Sequence, residues 1–338
     1  MTNKSTLKIK LGLFNVENLF LLFDHPIPEN FKTLSEPDWQ KLSTSVYYNK
    51  PLKKCLEIAK LIELEQPDIL MICEVGGLES LKNFNVLFLN SQYSPVLLEG
   101  NSDRNIDIGY LVKKQQPYFY DIISNKNRPL NFLYPHELTS QAHGFKIKAA
   151  SHTFSRDCAE LRLFTKDRSQ PFLIILLTHL KSRLDPERID PGGVERRGAE
   201  LRTAINIYKE LQTSHPSCPI LLCGDLNGYA GKTTPDLEFA PIYQETDLED
   251  IFEIAGINLE NRSTFFQIKN GGKADGKQID YCFLPKKIWP HLDTSKTYVY
   301  KYTDHLGTTL NTPTSMEAKG LLPSDHYPLF FTLENLPN

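Results

Sequence analysis

The chain has 338 residues, 40% hydrophobic and 23% charged, and its 38 Lys and Arg against 41 Asp and Glu leave a net charge of −3. That length and balance suit one large α/β domain with a substantial buried core. They exclude the overall basic surplus of a protein that grips long nucleic acid without sequence preference, leaving only a local basic patch for that purpose.

The N-terminal stretch Met1 to Lys10 is polar, and the apolar stretch Leu11 to Phe23 is broken by Asn15, Glu17 and Asn18. Neither reads as a signal peptide or a membrane span. Short apolar, branched-rich runs bounded by polar or turn residues predict buried strands at Ile9–Phe14, Asp68–Cys73, Ile106–Val112, Phe172–Thr178, Ile220–Cys223, Ile279–Leu284 and Leu329–Leu333. Helical spacing of Leu52, Cys55, Leu56, Ala59 and Ile62 predicts a helix over Pro51–Glu65, with Asn49 as its cap and Pro67 after its end. A second apolar stripe, Val194, Leu201, Ile205 and Tyr208, predicts a helix over Val194–Leu211. Strands interleaved with helices early, and with longer loops later, fit a sandwich of two sheets with helices outside. No linker or repeat divides the chain, so residues 1–338 read as a single domain, with inserted loops near 24–50, 118–151 and 302–322.

None of the six cysteines, Cys55, Cys73, Cys158, Cys218, Cys223 and Cys282, forms a Cys-x-x-Cys pair, so a structural zinc site is not expected. Cys73, Cys223 and Cys282 lie inside apolar runs and read as small buried hydrophobes. This fits a reducing compartment, and a cytoplasmic location is the expectation.

The predicted strands share a feature. Each apolar run delivers a polar or acidic group at its end: Asn15, Glu74, His179, and Asp225 followed by Asn227. Asp280 opens the strand after Gln278-Ile279, and Asp325-His326 precedes the last strand. A carboxylate beside a buried strand is costly unless it is paired or bound to a cation. Any one of them is explained by a cap or a salt bridge; the series is not. Oxygen-rich, thiolate-free donors suit magnesium, manganese or calcium, and two histidines add groups for proton transfer and for stabilising an anionic transition state.

Six segments, Phe14–Phe20 (FNVENLF), Ile72–Glu74 (ICE), Thr178–Ser182 (THLKS), Gly224–Asn227 (GDLN), Ile279–Tyr281 (IDY) and Ser324–Pro328 (SDHYP), together resemble the endonuclease/exonuclease/phosphatase superfamily. Each is weak alone; all six occur in the family's order and span nearly the whole chain. The resemblance implies a four-layer α/β sandwich, two mixed β-sheets packed face to face with helices outside, as in deoxyribonuclease I. It implies Glu74 and Asn15 as magnesium ligands with Asp325 near the ion. Asp225 would aim or deprotonate the attacking water, and Asn227 would hold a phosphate oxygen or that water. His326 would contact the scissile phosphate, with Asp280 orienting its imidazole. His179 places the chain nearer the deoxyribonuclease I and sphingomyelinase branches than the exonuclease III branch.

The Phe154-Ser155-Arg156 stretch resembles a family segment that supplies a phosphate-facing Arg, and Arg104 lies in one that resembles an Arg-Gly-Ile-Asp segment, with Asn105 in place of the glycine. Arg183 follows the His179 strand closely enough to be a third substrate-binding candidate. Exposed arginines are more often merely solvated. Asp304-His305 imitates the Asp-His pair but has no apolar strand after it, and reads as a decoy.

The expected activity is magnesium-dependent hydrolysis of a phosphodiester, as a nuclease. The alternatives are a phosphatase or phosphodiesterase for a small or lipid-linked phosphate, favoured mildly by the acidic balance, and a catalytically dead binding scaffold, disfavoured because every central residue is present. The expected partners are a phosphate-ester substrate, including nucleic acid, with no transmembrane segment and no evident partner protein.

Overall fold

The computed structural model describes residues 6–336, so the first five residues of the polar N-terminal stretch lie outside the described region. Two six-stranded mixed sheets face each other. The first runs, edge to edge, Leu292–Val299, Leu329–Leu336, Leu7–Leu19, Ile69–Val75, Asp107–Lys113 and Tyr93–Val96. The second runs Phe119–Ile123, Cys158–Phe164, Leu173–His179, Ile220–Asp225, Asp280–Pro285 and Leu248–Asp250.

Each sheet is built around one central parallel pair: Leu7–Leu19 with Ile69–Val75, and Leu173–His179 with Ile220–Asp225. Parallel neighbours need a long crossover, and in each case a helix supplies it: Leu52–Glu65 for the first pair and Val194–Ser214 for the second. The remaining pairings are antiparallel. Because both strands of a parallel pair start at the same edge, their C-terminal ends emerge together.

The apolar runs are continuous because these strands are covered on both faces. Leu173, Ile175 and Leu177 enter the core between the sheets, and Ile174 and Leu176 face the helix layer with Leu201, Ile205 and Tyr208. Tyr110 reaches across from the first sheet, its buried hydroxyl donating to the carbonyls of Ala159 (2.9 Å) and Ile175 (3.0 Å) of the second. A phenol placed there satisfies its polar tip while filling the core, so it pins one sheet to the other. The architecture is the expected four-layer sandwich.

Several local expectations are corrected. Asn49 does not cap the helix at 52; its side-chain oxygen accepts from Leu22 N (2.9 Å), and the Leu52 N–H is capped instead by Glu36 Oε2 (3.1 Å). Val194 starts its helix but is 40% exposed, so the buried stripe begins further on. The 118–151 stretch is not all loop: it opens with the edge strand Phe119–Ile123 and holds the helix Pro135–Ala142. The 24–50 stretch is anchored by the fully buried Trp39, whose indole donates to Lys50 O (3.0 Å), and 302–322 contains the short helix Met316–Gly320. The strands at 93–96, 158–164, 248–250 and 292–299 and the helix Gly77–Phe88 go beyond the predicted set. Among the described residues no helix is long and apolar enough to cross a membrane, and all six cysteines are buried free thiols.

Candidate active site

The parallel pairs deliver four polar groups to one place. Asn15 is the last residue paired before the register of the first sheet's central strands shifts, and Glu74 lies next to the end of its strand; His179 and Asp225 end those of the second, where they are direct register partners. Asp280 opens the antiparallel neighbour and pairs in register with Asp225. The turn into the last strand brings His326, which bridges to Phe265 of the hairpin Phe265–Ile268/Ala274–Lys277.

Asn15 joins the sheets: its Nδ2 donates to Asp225 Oδ2 (2.9 Å) and to Glu74 Oε1 (3.3 Å). Ser324 Oγ donates to the Asn15 carbonyl (2.7 Å) and accepts from His326 N (3.1 Å), locking the Ser-Asp-His turn to the first strand. His326 Nδ1 lies 2.8 Å from Asp280 Oδ2, and its Nε2 is 3.8 Å from Asp225 Oδ2. Asp280 N is held by Thr264 Oγ1 (3.2 Å). His179 Nε2 is 3.6 Å from Asp225 Oδ2 and 4.0 Å from Glu74 Oε1.

The backbone is bent to make this arrangement. Glu17, Asn18, Glu74 and Asn227 all adopt left-handed φ, between 49° and 65°. For residues other than glycine that conformation costs of order 1 kcal/mol or more each, and it clusters where the surrounding structure imposes it. At Glu74 it turns the carboxylate off the end of the strand, where Oε2 accepts from Asn18 N (3.2 Å). At Asn227 it allows the amide N–H to donate to Asp225 Oδ1 (2.9 Å), while the side-chain Nδ2 donates to Leu180 O (3.0 Å) and leaves the side-chain oxygen free.

Burial acts first on the titratable groups. It pushes the Asp225 carboxyl up to about 7, with the Asp280 carboxylate adding to the effect. It drives His179 well below the ordinary histidine value, and the charges of Arg156, His326 and Arg104 act in the same direction. Burial alone would also depress His326. The Asp280 carboxylate and hydrogen bond, with Asp225 and Asp325, outweigh it and raise the imidazole well above its usual range. The two histidines are therefore driven apart, His179 toward the neutral form and His326 toward the protonated one.

Asp225, Asp280 and His326 each place one donor atom within 4.8 Å of the others. The His326–Asp280 hydrogen bond already occupies two of those donors, so this trio is better suited to holding a proton than an ion. The other oxygens are the better cation cradle. Glu74 and Asp225 have no Lys or Arg partner among the described residues; their partners are Asn15, backbone amides and the two histidines. Two converging carboxylates without a fixed counter-charge, joined by a neutral amide, fit an oxygen-preferring divalent cation.

The remaining predicted residues divide. Arg156 is 6% exposed, with its Nε unpartnered and Nη1 donating only to Ser155 Oγ (3.3 Å). Arg104 donates to Asn18 Oδ1 (2.8 Å), one step from Glu74. Arg183 is engaged elsewhere: it is exposed, pairs with Asp236 and donates to Asn227 O (3.2 Å). Asp325 lies on the His326 side, with Oδ1 3.9 Å from Nε2 and Oδ2 3.3 Å from Lys319 Nζ. Asp304 caps the turn at Leu306 and Thr308, and His305 is exposed, so the decoy pair is a surface turn.

Residues without a motif also contribute. Buried Lys50 donates to Glu17 O (2.8 Å) beneath the bent 15–18 segment, and its burial lowers the ammonium to about 8. Thr264 fixes Asp280 through a hydroxyl that no sequence pattern distinguishes, and Ser324, the first residue of the Ser-Asp-His motif but given no role by it, fixes the Asn15 carbonyl.

No family model matches the chain, and no curated protein sequence matches it. Solved structures do. An endonuclease/exonuclease/phosphatase family protein from Bacteroides thetaiotaomicron is 14% identical, the match covering 98% of each chain with a TM-score of 0.56. A mannosyl-6-phosphatase from the same organism is 14% identical, covering 96% of this chain and 98% of that one at 0.55. D. rerio TDP2 complexed with a single-strand DNA product is 15% identical, covering 96% and 98% at 0.54. The chain thus has the deoxyribonuclease I-like fold of the endonuclease/exonuclease/phosphatase superfamily, the fold its six ordered motifs imply.

Proposed function

We propose that this protein is a divalent-metal-dependent phosphoesterase that cuts phosphodiester bonds, and that its substrate is nucleic acid. The observation carrying this reading is the convergence of Asn15, Glu74, His179, Asp225, Asp280 and His326 from both sheets on one point, joined by hydrogen bonds from Asn15 to Glu74 and Asp225 and from His326 to Asp280.

Glu74 would hold the cation, magnesium by donor type, with manganese or calcium compatible with its oxygens; Asn15, whose Nδ2 donates to Glu74 and Asp225 while its Oδ1 accepts from Glu17 N, would join it by turning its amide oxygen inward. When bound, the ion supplies positive charge against the phosphate oxygens. Asp225 accepts the proton of the attacking water; burial has raised its carboxyl toward neutrality, which matches a general base to its working pH. Asn227, its N–H bonded to Asp225, presents its side-chain oxygen to that water. His326 donates from Nε2 to a phosphate oxygen as negative charge grows there, and Asp280 holds the proton on Nδ1 and the ring in plane. His179, neutral and wedged between Glu74 and Asp225, donates to the phosphate from the second strand end. Arg156 supplies a buried positive charge for the substrate anion, and Arg104 a more exposed one.

The solved D. rerio TDP2 complex with single-strand DNA product supports nucleic acid, and the mannosyl-6-phosphatase supports a second reading, hydrolysis of a small phosphate. The net charge of −3 and a side cleft of small-ligand size favour the second over a long duplex. The test is hydrolysis of single-stranded DNA, RNA, plasmid DNA, sphingomyelin, inositol phosphates and bis(p-nitrophenyl) phosphate, each with magnesium and with EDTA. Cleavage of single strands with magnesium supports the nuclease; cleavage of the small or lipid phosphates alone would replace it. Turnover of none of them would end the phosphoesterase reading.

A further inference from the structure

A cleft of about 580 Å³ opens beside the catalytic centre, between the segment around Arg104, the Thr153–Arg156 turn and the loop from Lys181 to Asp190. Its volume lies in the range of pockets that enclose a small ligand. Its lining is linked to the centre: Arg104 hydrogen-bonds Asn18, whose backbone N–H holds Glu74, and the charges of Arg104 and Arg156 both bear on His179.

The cleft's lining holds four cations, Arg104, Arg156, Lys181 and Arg196, and four acids, Asp103, Asp185, Glu187 and Asp190, and the two sets are engaged differently. Asp185 spends both oxygens on the backbone N–H groups of Ile189 (3.1 Å) and Asp190 (3.0 Å). Asp190 spends both of its own on Glu195 N and Arg196 N (3.0 Å each). Glu200 takes Ser155 N (2.8 Å) and Lys181 N (2.7 Å) and faces Arg196. Asp185, Asp190 and Glu200 therefore shape the loop, Asp103 and Glu187 are exposed, and of the cations only Arg196 gains a carboxylate partner. Lys181, whose ammonium donates to the carbonyls of Ser182 (3.2 Å) and Leu184, and Arg156 have none within ion-pair distance among the described residues. Burial lowers the Lys181 ammonium and Arg156 adds to the effect, while Asp190, Glu200 and Asp185 act against it. Arg156, 94% buried with an unpartnered Nε and no carboxylate partner, is a buried cation that is unfavourable unless an anion joins it. One anion, the scissile phosphate at the Glu74–His326 centre, calls for one such cation. The second cation and the roomy cleft call for another anion.

We propose that this cleft, bounded by Arg104, Arg156 and Lys181, is a subsite for a second phosphate group of the substrate, adjacent to the phosphate that is cut. The inference rests on the phosphoesterase reading and narrows its substrate class to molecules carrying two neighbouring phosphates. These are either successive phosphates of a nucleic acid strand or the two phosphates of a small bisphosphate.

Binding tests it without turnover. Titration calorimetry in EDTA should show thymidine 3′,5′-bisphosphate binding at least tenfold more tightly than thymidine 5′-monophosphate or 3′-monophosphate. Lys181→Met should reduce that preference to within about twofold while leaving the melting temperature near that of the wild type. Equal affinity for bisphosphate and monophosphates, or a preference unaffected by Lys181→Met, overturns the subsite. Competition separates the two sources: stronger displacement by oligothymidylate assigns the second phosphate to a strand, stronger displacement by fructose 1,6-bisphosphate to a small molecule. A bisphosphate preference with no turnover of any phosphate ester would sustain the subsite and sink the hydrolase. Turnover without the preference would do the reverse.

Discussion

His326 Nδ1 and Asp280 Oδ2, 46 residues apart in the chain, lie 2.8 Å apart in a buried pair whose other members face Asp225. The pair fixes one imidazole nitrogen, so only Nε2 is left to meet a substrate. Asp280→Asn should lower kcat for a chromogenic phosphodiester by about a hundredfold or more with a smaller change in KM. It should also lower the His326 titration midpoint followed by NMR. The sign follows from the raised folded-state value: the pair's stabilisation is fully present below about pH 6.5, the unfolded value, and is lost as the pH climbs through the folded one. An unchanged midpoint in Asp280→Asn would show that the carboxylate does not hold the proton.

Glu74→Gln keeps the shape of the side chain and removes half the charge of the Glu74–Asp225 cradle. Magnesium or manganese binding, followed by calorimetry and by the rise in melting temperature on adding metal, should weaken at least tenfold. Binding as tight as in the wild type would move the ion away from Glu74.

Asp250 tests the same electrostatics far from the chemistry. It closes the edge strand Leu248–Asp250 fully buried, with Oδ2 accepting from Gln278 Nε2 (2.9 Å) and Oδ1 without a partner, and burial raises its carboxyl to about 7. A raised carboxyl favours the fold when protonated. Its contribution is therefore complete below about pH 3.8 and is lost as the pH rises through 7. Asp250→Asn should match the wild type near pH 4 and exceed it above pH 7 by on the order of 3 kcal/mol, read from urea midpoints at the two pH values. Equal midpoints at pH 8 would refute the buried-charge account.

Gly224 precedes Asp225 with φ of 151°, and a Cβ there would stand 1.8 Å from the Thr178 carbonyl oxygen. The close approach lets the two parallel strands bring His179 and Asp225 side by side. Gly224→Ala should cost at least about 3 kcal/mol in urea unfolding or leave the protein insoluble. A loss below 1 kcal/mol would mean the strands can part without consequence.

Arg156→Met exchanges an unpartnered buried charge for an apolar side chain of similar length. Its melting temperature should rise, because removing an uncompensated buried ion is stabilising by roughly 1–4 kcal/mol, while affinity for inorganic phosphate falls. A drop in both would mean that the guanidinium has a structural partner.

Much of this was legible in the order of residues. All seven predicted apolar runs are strands, because a strand covered on both faces must be apolar throughout, a signal that needs no partner to be read. The ends of those runs disclosed Asn15, Glu74, His179, Asp225, Asp280 and His326, since a polar group next to such a run is conspicuous. The strands at 158–164 and 292–299 escaped. Glu160 and Arg162 in the first, and the polar stretch from Asp293 to Lys296 in the second, interrupt the apolar pattern by which the other strands were read. Asn49 looked like a cap because it stands at the right spacing, but Glu36, brought in by the 24–50 segment, reached the helix end first.

The chain by itself determined which groups could do chemistry, because residue type and apolar context are local properties. The tertiary structure alone decided which of those groups carry free charge. Arg183 and Arg156 are both single arginines beside family motifs. One meets Asp236 and is neutralised; the other is buried with no carboxylate at hand. The same holds for His179 and His326, identical in side chain and driven toward opposite protonation, since burial and the distance to Asp280 are set by the packing of two sheets and by nothing in either residue's neighbourhood along the chain.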